Sequence, residues 1–320
     1  MTSIYKKICL SIGLGALVFL AFSVYLAVDP LARAFHGFDW WAVAAALLLA
    51  LVNYGIRFWR WDYYLDLLSI QMERSESLRV FLSGLVLSVT PGKAGELMKA
   101  VLVRQAVGTP VGVTSAAVFA ERLTDFVALT LLSLVGILSF RQGVLTLTVA
   151  LVGSFALLLL VFWPGALRWS LELVGRLPGI GRLAIPLSPA YEGARRLLST
   201  RAFIRGLCLA LVAWFAECLA FQIVLLGFDQ DIGTVASTFI YAFATIFGAL
   251  TFIPGGLGTT EGSMAALLGV HGVGLELAVA ATFVIRVCTL WFAVLIGGVV
   301  LLRSGFTTTA GDASESTPTT

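Results

Sequence analysis

Nine ionisable side chains stand in otherwise apolar stretches of this sequence: Lys93, Glu96, Lys99, Glu121, Arg122, Asp125, Glu217, Glu261 and Arg286. Each costs roughly 2.5–3.5 kcal/mol at bilayer depth on insertion scales, so such groups pair with one another and mark pathways. Four are basic and five acidic, nearly the balance of an internally paired cluster. Arg122 and Asp125, three apart, share one helix face. They form either a structural ion pair or a site for a charged headgroup. Arg286 has no acid near it in sequence, and a phosphate oxygen or a hairpin glutamate would serve as its partner. Glu217 stands alone in an apolar helix, with Gln222 five residues on. It reads as a partner for Arg286 or Arg122, or as a protonatable relay, because a carboxyl out of water readily neutralises.

Two Pro-Gly breaks interrupt the apolar runs. The first is Thr90-Pro91-Gly92-Lys93-Ala94-Gly95-Glu96, the second Pro254-Gly255-Gly256-Leu257-Gly258-Thr259-Thr260-Glu261-Gly262. Proline removes a backbone donor and breaks a helix, which puts Glu96 and Glu261 in the first turn of a returning half-helix. An acid there complements the helix dipole, with Thr90 as N-cap and Pro91 at the first helical position. The same N-termini are ready-made anion sites. Pro91, Gly92, Gly95, Glu96, Pro254, Gly255, Gly256, Gly258 and Glu261 therefore join Arg122, Asp125, Glu217 and Arg286 as candidate substrate-binding residues.

Other chemistries find no footing. Gly255-Gly256-Leu257-Gly258 partly imitates a dinucleotide fingerprint, but Glu261 replaces the third glycine and no parallel strand precedes it. No GxxxxGK[ST] loop, GxSxG elbow or HExxH helix occurs. Cys9, Cys208, Cys218 and Cys288 are scattered singly, and His36 and His271 are too few for a His-based metal cluster. No cofactor, metal or nucleotide is expected.

The elements that position these residues must lie in lipid. Of 320 residues, 59% are hydrophobic and 12% charged, with a mean hydropathy of +0.98. Soluble domains use about a quarter charged residues to cover their surface. A soluble enzyme, a nucleic-acid binder and a disordered chain are thereby excluded. The net charge of +3 is too small to suggest a polyanion partner. Ile8 to Val28 is an uncharged run of 21 residues behind Lys6 and Lys7. It reads as a retained first transmembrane helix, since a cleaved signal has an apolar core of about 7–15 residues. Further apolar runs lie at about 40–56, 80–103, 111–139, 143–163, 203–227, 235–270 and 275–302.

Loop charges set the sides. Segment 164–202 carries six arginines against two glutamates, and 57–79 carries four arginines. The positive-inside rule places both, with residues 1–7, in the cytoplasm. Trp40 and Trp41 at one end of a helix, and Trp59 and Trp61 at the other, read as an aromatic belt. The arginine-rich stretch, with Trp169, is either an amphipathic segment on anionic headgroups or a solvated loop. If 57–79 and 104–110 are both inside, the run between them enters and returns on one side. Its first limb, Val80 to Thr90, would span about 16 Å, or half a bilayer. The 235–270 run repeats the pattern from the other face, although 235–253 alone could cross.

Pro91 precedes Arg122 by 31 residues, and Pro254 precedes Arg286 by 32. Such matched breaks fit an inverted repeat with substrate between broken helices near the midplane. The fold class is an all-α polytopic membrane protein of about six full crossings plus two re-entrant broken-helix hairpins. Residues 1–303 form the membrane domain, with half one about 40–140 and half two about 203–302. Residues 304–320 form a disordered cytoplasmic tail.

Thr90-Pro91-Gly92-x-x-Gly95-Glu96, Glu121-Arg122-x-x-Asp125 and Pro254-Gly255-Gly256-x-Gly258-x-x-Glu261-Gly262 together resemble signatures of the lysylphosphatidylglycerol synthase/flippase transmembrane family. The resemblance covers about residues 5–302. It implies a multi-pass protein of the cell (inner) membrane that moves lipids between leaflets. Bifunctional members carry a soluble transferase domain after the membrane part; here only a short polar tail follows, so synthase activity is expected to be absent. The function expected is translocation of a lipid with a polar or anionic headgroup. The alternative is a membrane-embedded enzyme or accessory subunit in isoprenoid, hopanoid or glycolipid synthesis, with Glu96 or Glu261 as base. The expected partner is a membrane lipid, with no nucleic acid; a homo-oligomer or a partner lipid-synthesis enzyme remain open.

Overall fold

The structure, a computed structural model, describes residues 34–90, 96–136, 187–251 and 253–304. Every element among them is helical. Hydrocarbon offers no partner to backbone polar groups, and a helix satisfies them within one segment. The helices are α1 (Trp41–Leu67), α2 (Arg74–Leu85), α3 (Met98–Val107), α4 (Val111–Gly136), α5 (Leu187–Leu197), α6 (Thr200–Gly227), α7 (Thr234–Leu250), α8 (Thr259–Val270), α9 (Leu275–Arg286) and α10 (Phe292–Arg303). A 3₁₀ turn at Val86–Val89 extends α2, another at Pro254–Gly256 precedes α8, and a π-helical turn at Val287–Trp291 joins α9 to α10.

Three helices are long and apolar enough to cross a membrane: α1, α6, and α9 with α10 taken as one from Leu275 to Arg303. At 26 residues α4 is of similar length, but Glu121, Arg122 and Asp125 interrupt its middle. The expected crossings at Ile8–Val28 and 143–163 lie outside the described residues, as does the expected tail from 305 onward.

The apolar run expected to end at about 56 continues as α1 to Leu67. No proline stands between Trp41 and Leu67, and the single Gly55 costs only about 1 kcal/mol in a helix interior. Arg57 and Arg60, expected in the cytoplasmic segment 57–79, are therefore helical and buried. With Trp61 and Tyr64 they fall at i, i+3, i+4 and i+7, one inward-facing stripe. Trp61 is also corrected: it is fully buried, whereas Trp40, Trp41 and Trp59 are exposed as a belt requires. The first hairpin limb is longer than expected too. It starts at Arg74, and α2 with its 3₁₀ turn spans about 26 Å, matching the roughly 26 Å of α7.

Residues 41–136 and 200–303 run through the same succession of elements. Each starts with a long helix, of 27 and 28 residues, and each of these ends in the same turn. The Ile70 N–H donates to Leu65 O at 3.0 Å and the Gln230 N–H to Leu225 O at 2.9 Å. Ser69 (φ 58°) and Asp229 (φ 57°), one residue earlier, are the non-glycine residues with positive φ among those described. Each stretch then has a second helix, a 3₁₀ turn and a short helix, of 10 residues in α3 and 12 in α8. A left-handed glycine, Gly108 or Gly272, precedes the final long helical segment.

The paired elements oppose one another. Along α1 and α6, Ala42 meets Gly227, Asn53 Nδ2 donates to Ala213 O at 2.8 Å, and Tyr64 meets Gly206, so the two run antiparallel. The last segments are exchanged: α4 packs on α7 at Gly136, and α10 packs on α2 at Gly297. The two hairpin tips touch, with Val89 against Gly255.

Candidate functional site

Within the first stretch, α1, α3 and α4 bring six charges together. Arg60 Nη2 lies 2.7 Å from Asp125 Oδ1 and 4.0 Å from Glu121 Oε1, while its Nη1 donates to Thr124 Oγ1 at 3.0 Å. Arg122 Nη2 bridges Asp125 Oδ2 at 2.8 Å and Glu96 Oε2 at 3.1 Å. Lys99 donates to Glu121 and stands 3.9 Å from Glu96. Its ammonium lies 4.4 Å from the centre of the Trp61 ring, a cation–π contact. The aliphatic stem of Lys99 lies on Gly84, where a Cβ would come within 2.5 Å of it. Three bases thus balance three acids. Buried ions require such compensation, because their attraction repays desolvation only when geometry and hydrogen bonds are complete.

In the second stretch the hairpin tip and α9 form a tighter unit. Glu261 uses both oxygens: Oε2 accepts the Gly258 N–H at 2.7 Å and Oε1 accepts Arg286 Nε at 2.6 Å. Arg286 Nη2 donates to the Gly255 carbonyl. Gly255, Gly256 and Gly258 all have positive φ, between 63° and 83°, a conformation that a Cβ would strain. That backbone turns the Gly255 carbonyl to the arginine. Nearby, the Tyr241 hydroxyl donates to Glu217 Oε2 at 2.7 Å, and the Tyr54 hydroxyl donates to Thr289 O at 2.6 Å. Thr289 sits in the π-helical turn after Arg286. Such single turns recur at functional sites.

Between the two stretches lies a cavity of about 520 Å³, within the range of roughly 300–1,000 Å³ of small-molecule sites. Residues of α1, α4, α6, α7 and both hairpin tips line it, mostly with apolar groups such as Leu85, Phe126, Ile246 and Leu290. Its charged wall is Arg57, Arg122, Asp125, Glu217 and Arg286. Both stretches therefore repeat one device. A hairpin glutamate pairs with an arginine on the helix that follows it, Glu96 with Arg122 and Glu261 with Arg286.

Residues 8–297 match the family model described as the lysylphosphatidylglycerol synthase TM region. The chain belongs to that family. It is 26% identical over 311 residues to a UPF0104 membrane protein of Methanothermobacter thermautotrophicus, covering 90% of each chain. A second UPF0104 membrane protein of that organism is 22% identical over 275 residues, covering 78% of this chain and 81% of the relative. A UPF0104 membrane protein of Pyrococcus horikoshii is 28% identical over 110 residues, 34% of this chain and 31% of the relative.

As a member of the lysylphosphatidylglycerol synthase TM-region family, the chain carries most of its expected site residues on two connected clusters. Arg122, Asp125, Glu217, Gly255, Gly256 and Arg286 reach the cavity. Glu96 and Glu261 do not line it; each is held behind its arginine. Pro254 and Gly258 shape the second tip. Pro91, Gly92, Lys93 and Gly95 lie outside the described residues. Glu217 is within ion-pair distance of neither arginine, since the Tyr241 hydroxyl stands beside its carboxylate instead. The Arg122–Asp125 pair exists, and it is also one edge of a larger network. Sequence reasoning counted Arg57 and Arg60 with the cytoplasmic segment 57–79, at the end of a helix, and did not number them among the site residues. Their spacing with Trp61 and Tyr64 was the available signal.

Proposed function

We propose that the chain is a lipid translocase of the cell (inner) membrane. It acts as a secondary transporter and not as an enzyme, moving a lipid with a polar or anionic headgroup between leaflets. In this reading the chain makes six crossings and two re-entrant hairpins, with the two stretches related as an inverted repeat and both termini cytoplasmic. Antiparallel packing of α1 on α6 and the exchanged contacts of α4 and α10 support the inversion. The return helices α3 and α8 support re-entry: at about 15 and 18 Å they fall short of the roughly 30 Å hydrocarbon core.

One observation carries the reading. The cavity between the stretches is apolar over most of its wall and charged on one part. A lipid has the same division, and irregular backbone such as the Gly255 tip is tolerated at depth where it borders a cavity. Glu96 and Glu261, the carboxylates that an embedded enzyme would use as bases, are both engaged by arginines.

Reconstitution tests this. The protein is placed in vesicles with a trace of headgroup-labelled lipid, and an impermeant quencher is added outside. Protein-free vesicles keep their inner-leaflet label; vesicles containing the protein are expected to lose it. Retention of that label with phosphate-bearing, zwitterionic and amine-bearing lipids alike would sink the translocase reading.

A further inference from the structure

The charges of the two clusters balance in number, but not every one is held at contact distance. Arg60, Lys99 and Arg122 meet Glu96, Glu121 and Asp125, and Arg286 meets Glu261. Arg57 is only 7% exposed and lines the cavity, yet no carboxylate of a described residue lies within 4.0 Å of it. Its buried Nε has no hydrogen-bond partner. The guanidinium rests 5.9 Å from the centre of the Trp214 ring. Its position on the wall is fixed one turn earlier, where Asn53 is bonded to α6 and Tyr54 to the π-helical turn.

Asp125, Glu96, Glu121 and Glu217 favour the Arg57 charge from a distance, but none of them takes up its donors at contact, where a buried ion gains most. Arg122 also has a buried Nε without a hydrogen-bond partner, but it and Arg286 each lie at contact distance from carboxylates. Arg286 directs Nε and Nη2 at Glu261 and the Gly255 carbonyl, and Arg122 directs Nη2 at two carboxylates. Arg57 retains its planar fork, which matches the oxygens of a phosphate bidentately. We propose that Arg57 binds the phosphate group of the lipid that occupies this cavity. The lipid part of this assignment rests on the translocase reading; the phosphate part rests on Arg57 alone.

The test uses the detergent-purified full chain and its thermal unfolding midpoint. Three probes are titrated: dihexanoyl phosphatidate, dihexanoylglycerol with the same tails, and inorganic phosphate. Phosphatidate is expected to raise the midpoint of the parental protein. Arg57→Gln should need at least about ten-fold more of it, a loss of about 1.4 kcal/mol, and Arg57→Lys should fall between. Equal binding of phosphatidate by Arg57→Gln, equal stabilisation by dihexanoylglycerol, or no binding of any probe would overturn the proposal. Stabilisation by inorganic phosphate at phosphatidate concentrations would overturn its lipid part.

A measurement without ligand guards against misfolding. Arg57→Gln takes a cation away from Asp125, Glu96, Glu121 and Glu217, whose field favours its charge, so it is expected to unfold somewhat below the parental temperature, while Arg57→Lys keeps the charge and should unfold near it. Phosphatidate binding by each variant is therefore read against that variant's own ligand-free midpoint, and parental-strength binding by a folded Arg57→Gln overturns the proposal. The two readings fail separately. Arg57-dependent phosphatidate binding without leaflet exchange would support the site and defeat the translocase. Leaflet exchange with undiminished binding by Arg57→Gln would defeat the site alone.

Discussion

Arg60→Ala is expected to destabilise the folded protein by about 3–5 kcal/mol, the cost of stripping one partner from a buried ion pair. Arg60 is fully buried and touches Asp125 at 2.7 Å and Thr124 at 3.0 Å, with Glu121 at 4.0 Å. Alanine would strip Asp125 of its closest buried cation and Glu121 of a second one. The same logic makes a compensated change mild. Lys99→Met alone strips Glu121 of its hydrogen-bonded cation, whereas Lys99→Met with Glu121→Gln removes both charges. The pair should recover most of the single loss, since an ion pair replaced as a unit is often close to neutral. Unfolding in detergent, followed by circular dichroism, measures all three. A loss under about 1 kcal/mol for Arg60→Ala would match a solvated surface pair instead.

Gly297→Ala is the second large effect, expected at about 1–3 kcal/mol of destabilisation from overpacking. A Cβ there would stand 2.6 Å from Val86 N and 2.7 Å from Leu82 O, both backbone atoms that cannot swing aside. Helices in lipid associate through such close approaches of small residues, and α10 must retreat from α2 to admit the methyl. The neighbouring Gly298→Ala is the control. Its Cβ would meet only Val86 Cγ2, at 3.5 Å, an ordinary contact. Helix propensity then favours alanine by up to about 1 kcal/mol. Opposite signs at adjacent positions are expected in thermal unfolding. Equal effects would contradict the α2–α10 packing.

Much of this was legible in sequence because lipid leaves few choices. The paired breaks at Pro91 and Pro254, and the arginines after them, follow from helix chemistry and the cost of buried charge, and the structure pairs each arginine with its hairpin glutamate. Segment 57–79 was misread for a physical reason. Loop charges and charges buried between helices look alike when only density is counted. Arg57 and Arg60 differ from loop residues by their period, which places them with Trp61 and Tyr64 on one face. Other features were beyond the sequence. The bond from Tyr241 to Glu217 joins two different helices, and the turning of the Gly255 carbonyl to Arg286 depends on backbone dihedrals.

The central claim is that lipid passes through the cavity between the two stretches. Thr245 lies on its wall, half-buried, and bonds only within its own helix. Thr245→Trp would fill the cavity while leaving every charge in place. Leaflet exchange of a phosphate-bearing lipid, measured in vesicles holding equal amounts of folded parental or Thr245→Trp protein, is the direct measurement. The account predicts rapid exchange for the parental chain and a rate indistinguishable from protein-free vesicles for the filled variant. Equal exchange by the two would contradict it.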